Sequence, residues 1–207
     1  MTTEHTSVPN HHAHHPGFAG LTGFLAAASM SLGREGDARL AERLSGLGPG
    51  DTVVDVGCGP GAAVRRAARL GASTVGVDPA LVMLRLARIL TRSCLPVRYL
   101  QGVAEALPLP DESASVVWSI ASVHHWADLD AGLGEARRVL RPAGRLVAIE
   151  RHTEPGARGL ASHGWTDAQA EEFAQRCLDH GFTDALVDRH RYGRRRTLSV
   201  TAQHPPT

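Results

Sequence analysis

Between residues 52 and 150, short apolar segments alternate with amphipathic ones, and this alternation constrains the fold more than any other feature of the chain. TVVDV (52–56), STVGV (73–77), VRYLQ (97–101), SVVWSI (115–120) and RLVAIE (145–150) have the length and β-branched content of buried strands. Between them GAAVRRAARLG (61–71), PALVMLRLARILTR (79–92) and LDAGLGEARRVL (129–140) place apolar residues at helical spacing, with Pro79 expected in the first turn of the second. Such alternation implies an α/β fold, a parallel sheet wound on both faces by crossover helices. The C-terminal end departs from it. TDAQAEEFAQRCLDHG (166–181) reads as a helix capped by Thr166 and stopped at Gly181, and the segments around Gly193 read as two strands of an antiparallel hairpin.

A chain of 207 residues with 43% hydrophobic content can bury one sizeable core and is short for two. Its formal net charge of +1 creates no overall field toward nucleic acid or an anionic membrane, so a small local partner is expected. Cys58, Cys94 and Cys177 form no C-x-x-C pair, which fits a reducing cytoplasm. The HHAHH run (11–15) sits among prolines in a segment with no apolar periodicity, and residues 1–16 are read as a disordered, weakly metal-adhesive tail rather than a metal site. The largely apolar stretch 17–33 lacks the basic leader of a secretory signal and is shorter than a bilayer span. It is read, with the amphipathic helix around Leu40, Leu44 and Leu47, as an N-terminal helical lid over 17–48, leaving 49–207 as the ligand-binding domain.

VVDVGCGPG (53–61) joins the first strand to its helix with Gly57, Gly59 and Gly61 in the turn. At the carboxyl edge of a parallel sheet, such a loop is expected to turn backbone amides and a helix dipole toward a ligand. The spacing is one residue shorter than the dinucleotide fingerprint, and Asp55 precedes it, where a carboxylate repels a pyrophosphate and favours a cation. Asp78 ends the second strand, in reach of ribose hydroxyls.

With these residues in place the chain resembles the class I S-adenosylmethionine-dependent methyltransferases, of the small-molecule type related to the quinone-methylating enzymes, from about residue 50 to residue 150. Four blocks carry the resemblance: VVDVGCGPG, GVDPALVML, GVAEALPLPDES, and WSIASVHHW followed by EARRVLRPAGRLV. It implies a Rossmann-like, doubly wound seven-stranded sheet, mostly parallel with the antiparallel hairpin at its end. It also implies S-adenosyl-L-methionine as cofactor, held by Asp55, Gly57, Cys58, Gly59 and Gly61, by Asp78 and Pro79 at the ribose, and by Met83 against the adenine. Glu105 would accept from the adenine amine and Ala104 offer its amide, with Ser119 and Ala121 beneath the methionine end. Val103 stands where many members of the family have Asp, and Ala143 replaces the middle glycine of a P-G-G turn.

The implied activity is methyl transfer to a small, rather apolar acceptor. A sulfonium methyl is already activated, so alignment of a nucleophile in a dry pocket supplies much of the catalysis and a general base is optional. His125 is the first candidate for that base, with His124, Glu150 and His152 behind it. Phe18, Phe24, His124, His125 and Trp126 are the substrate-facing candidates, and no metal is expected at the site. A non-catalytic or regulatory domain that binds the same cofactor would keep the same motifs and remains the alternative. The arginines of the terminal hairpin read as solvated edge charges, no nucleic-acid partner or transmembrane segment is expected, and the chain would be a monomer or homodimer in the cytoplasm.

Overall fold

The computed structural model describes residues 35–193 and 195–207. The N-terminal tail, with the expected lid residues Phe18 and Phe24, lies outside them. Glu35–Ser45 forms α1 and Thr52–Val56 forms β1, followed by α2 (Ala62–Arg69), β2 (Ser73–Asp78), α3 (Leu81–Leu90) and β3 (Val97–Gln101). Then come β4 (Ala114–Ile120), α4 (Leu129–Val139), β5 (Leu140–Arg151), α5 (Asp167–Asp179), β6 (Thr183–Tyr192) and β7 (Arg195–Gln203).

The strands build one seven-stranded sheet in the order β3-β2-β1-β4-β5-β7-β6. The first five strands pair in parallel and β7 runs antiparallel to both β5 and β6. The order reverses at β1, between β2 and β4, which is where an open α/β sheet leaves a crevice for a ligand. Alternate residues of each strand serve different layers. Val53, Trp118 and Ile149 pack under α1 with Leu40 and Ala41, and the Trp118 indole donates to Ser45 Oγ. Val54, Val117 and Ala148 face the opposite way, toward Leu133 of α4 and Phe173 of α5. Helix α1 is therefore a wall of the core, and its Asp37 receives Arg195 from the terminal hairpin.

Two expected elements shift. Pro79 stands before α3 rather than in its first turn, because the Asp78 carboxylate takes the Ala80 amide at 2.8 Å and Ala80 becomes the N-terminal boundary residue. Strand β5 begins at Leu140, ahead of the expected residue 145, through an irregular stretch in which Ala143 takes a left-handed φ of 59° and its amide donates to the Pro205 carbonyl. Thr166 does cap α5, in a reciprocal capping box with Gln169.

Candidate active site

Gly57 opens the loop after β1 with φ 73°, and a Cβ there would stand 1.9 Å from Ser122 Oγ. Only glycine lets the loop approach the turn after β4 so closely. The loop is then closed on its own neighbours. The amides of Gly57 and Cys58 both donate to the Val77 carbonyl at 2.8 and 3.0 Å, Gly59 donates to Asp78 Oδ2 at 2.8 Å, and Gly61 donates to the Cys58 carbonyl. This corrects the expectation that these amides point at a ligand. They rigidify the loop, and a phosphate would find them already engaged.

What flanks the loop is acidic. Asp55 is 2% exposed beside Gly57, Cys58 and Ile120, and Asp78 is buried at the end of the adjacent strand. Met83 and Ala104 are buried, and Pro79 is exposed with its carbonyl taking Gln101. Glu105 also has a structural use: its Oε1 accepts the amides of Ala127 at 2.6 Å and Asp128 at 3.1 Å, where α4 begins. Those amides lie at a helix start and have no intrahelical acceptor, so they capture the nearest carboxylate. Behind Glu105, Leu107 donates to Glu135, and Arg138 donates to the carbonyls of Leu107 and Leu109.

Ser119 is fully buried in β4, and its Oγ has no hydrogen-bond partner among the described residues. Ala121 follows with a φ of 52°, donating its amide to the Ile149 carbonyl, and turns the chain into the short 3-10 segment Val123–His125. A non-glycine residue in this conformation is strained, as is common beside functional sites.

The two histidines of that segment differ. His124 Nδ1 lies 2.9 Å from Oε2 of Glu150, which is 1% exposed, whereas the His125 residue is exposed and its ring centroid is 4.0 Å from that of His124. Glu150 is enclosed at this depth, and its carboxylate is turned to the His124 ring. His152 is turned toward Asp167 at 3.4 Å. Trp126 packs into the core edge-on to Phe173 and also lines a cleft of about 920 Å³ with Val123, His124, Arg158 and Phe173.

His163 was not among the expected residues. The loop 152–165 folds back so that Trp165 donates to the Arg151 carbonyl and Thr153 to the Trp165 carbonyl. Gly164, at φ 143°, makes the return possible, since a Cβ there would stand 2.1 Å from that same Arg151 oxygen. The return sets the His163 ring 5.4 Å from His124 and 5.6 Å from His125.

Residues 54–148, which hold the glycine loop, Asp78, Glu105 and His124, match the family model described as a methyltransferase domain. Over that stretch the chain is similar to the class I S-adenosylmethionine-dependent methyltransferases, and the match supports a domain of that type. It is 34% identical over 112 residues to the demethylmenaquinone methyltransferase of Tropheryma whipplei, covering 54% of this chain and 46% of that protein. It is 30% identical over 159 residues to the ubiquinone biosynthesis O-methyltransferase of Chelativorans sp., covering 76% of this chain and 56% of the relative. The chain thus spans about half the length of the curated relatives it matches. Among solved structures, an S-adenosylmethionine-dependent methyltransferase from Aquifex aeolicus superposes with a TM-score of 0.71 at 18% identity, over 87% of this chain and 97% of that one, and shares the fold.

The methyltransferase crevice fits S-adenosylmethionine by its donor set. Two buried carboxylates flank a loop whose amides are spent, an arrangement suited to a sulfonium, an ammonium and ribose hydroxyls and poorly suited to a pyrophosphate. Among the described residues no helix is long and apolar enough to cross a membrane.

Proposed function

We propose that the chain transfers the methyl group of S-adenosylmethionine to a small, rather apolar acceptor that carries an acidic hydroxyl or carbon. The observation that carries this reading is the His124–Glu150 pair at 2.9 Å, standing one turn beyond β4 next to the glycine loop. Cofactor binding alone does not call for an imidazole backed by a buried carboxylate, whereas activation of an acceptor does.

Asp55 and the glycine loop would hold the methionine end of the cofactor, Asp78 the ribose, and Met83, Ala104 and the free side of Glu105 the adenine. The bound cofactor supplies an activated methyl group. The protein aligns the acceptor oxygen or carbon behind that methyl and excludes water. His124 is better placed than His125 to take the acceptor proton: Glu150 accepts from Nδ1, which leaves the Nε2 lone pair as the basic site and stabilises the imidazolium that forms. The acceptor would occupy the cleft beside Val123, His124 and Trp126, whose lining joins apolar residues to charged ones such as Asp128, Arg158 and Glu172. The quinone-methylating relatives support the same acceptor class.

The test is transfer of radiolabelled methyl from S-adenosylmethionine to a panel of hydroquinones and phenols, extracted into organic solvent. Label in at least one acceptor, dependent on His124, supports the proposal. Tight cofactor binding with no transfer across the panel favours the non-catalytic alternative.

A further inference from the structure

We propose that His124, His125 and His163 form a binding site for a divalent transition metal of the zinc class. This departs from the expectation that the site takes no metal. Ligating nitrogens of all three rings lie within 4.8 Å of one another. The rings are inclined rather than stacked, at 43° for His124 with His125, 64° for His124 with His163 and 76° for His125 with His163. A tetrahedral zinc with Zn–N bonds of about 2.0–2.1 Å needs nitrogens about 3.3 Å apart, so no pair has to close by more than about 1.5 Å. His125 is exposed and His163 half-buried, and side-chain rotation is the adjustment that metal binding would ask of them.

Two neighbouring histidines in a 3-10 turn would carry no such inference alone. The third comes from a separate loop, held in place by the Arg151–Trp165 and Thr153–Trp165 hydrogen bonds. Behind the cluster stands Glu150. A carboxylate only accepts, so the 2.9 Å contact makes Nδ1 of His124 the donor and leaves Nε2 as the ring nitrogen able to ligate. A buried carboxylate that fixes the tautomer of a ligating histidine is the outer shell that metal sites require. Three neutral imidazoles form a donor set that suits zinc and its neighbours rather than magnesium or calcium, and they leave a fourth position open.

His124 lines the acceptor cleft, so an acceptor oxygen could occupy that position. There the cation would lower the pKa of the oxygen and favour its nucleophilic form. In the metal-loaded chain His124 is then a ligand and not a base, since Nε2 serves one use at a time. The role in activating the acceptor rests on the methyltransferase reading; the binding itself does not.

The experiment uses the full chain with His5, His11, His12, His14 and His15 replaced by alanine, so that tail imidazoles do not compete. Chelator-treated protein is titrated with Zn²⁺ by calorimetry and with Co²⁺ by visible absorption, and each variant is titrated separately with S-adenosylhomocysteine. We expect one equivalent of metal, lost in His163→Ala and in His163→Gln, and weakened about 10- to 100-fold in Glu150→Gln. S-adenosylhomocysteine binding should persist in all three variants, which shows that they are folded. No metal uptake by the tail-substituted chain, or uptake unchanged in both His163 variants, overturns the proposal. Metal binding without S-adenosylhomocysteine binding would instead remove the methyltransferase reading and leave the metal site standing.

Discussion

His124 Nδ1 and Glu150 Oε2 stand 2.9 Å apart, one on the turn that leaves β4 and the other near the end of the adjacent strand β5, so the sheet itself sets the geometry of the pair. Glu150→Gln keeps the shape but removes the charge that steadies an imidazolium. We expect kcat for methyl transfer to fall about 100-fold, the usual scale of a positioned proton acceptor. The KM for S-adenosylmethionine should stay within about twofold, because Glu150 does not belong to the cofactor crevice. Steady-state kinetics separate the two, and a proportional change in both constants would point to a structural role instead.

Gly57 of the glycine loop leaves no room for a Cβ beside the Ser122 side chain. Gly57→Ala should cost about 2–4 kcal/mol, combining a left-handed alanine with an overpacked contact. Adding Ser122→Gly should restore part of it, because the clash is with the serine side chain, while the backbone strain at φ 73° remains. Denaturant unfolding of the two single variants and the double variant gives the coupling directly.

Strand and helix periodicity made most of the sheet legible, and β1 and β3 begin and end where the apolar runs do. RPAG (141–144) misleads, because it reads as a turn while the backbone pairs on through a left-handed alanine into β5. In the site, Asp55, Asp78 and the glycine loop were legible because their spacing is local. His163 was not, since a loop histidine shows no period and its place depends on the return at Gly164. The use of Glu105 by the Ala127 and Asp128 amides was hidden for the same reason: the partners are distant in sequence.

Ala143 offers a stabilising change. At φ 59° an alanine bears a steric penalty that glycine does not. Ala143→Gly should raise stability by about 0.5–1 kcal/mol and the midpoint of thermal unfolding by about 1–4 °C, with cofactor affinity unchanged. Calorimetric unfolding checks it.

The loop after β3 is braced by Glu135, whose carboxyl is held below its ordinary value first by the hydrogen bond from Arg138, against a smaller opposing effect of burial, and then by the Leu107 amide. A carboxyl with a lowered folded pKa adds stability that is fully present above its unfolded value near 4.5 and is lost as pH falls through the folded value. The wild type should therefore exceed Glu135→Gln in stability at pH 7, and the gap should narrow as pH drops from 4.5 toward 3. Denaturant midpoints of both proteins across that range measure it. A gap that stayed constant with pH would assign the brace to shape rather than charge.

The acidic cofactor crevice is tested most directly by calorimetric titration of the full chain with S-adenosylhomocysteine and, separately, with NADH, alongside Asp78→Ala. We expect one equivalent of S-adenosylhomocysteine to bind at micromolar concentration, at least about tenfold more weakly once Asp78 is removed, a loss of about 1.4 kcal/mol. NADH should not bind, because its pyrophosphate would meet Asp55 and amides already given to Val77 and Asp78. Binding of NADH in place of S-adenosylhomocysteine, or S-adenosylhomocysteine binding indifferent to Asp78, would contradict the assignment of this crevice.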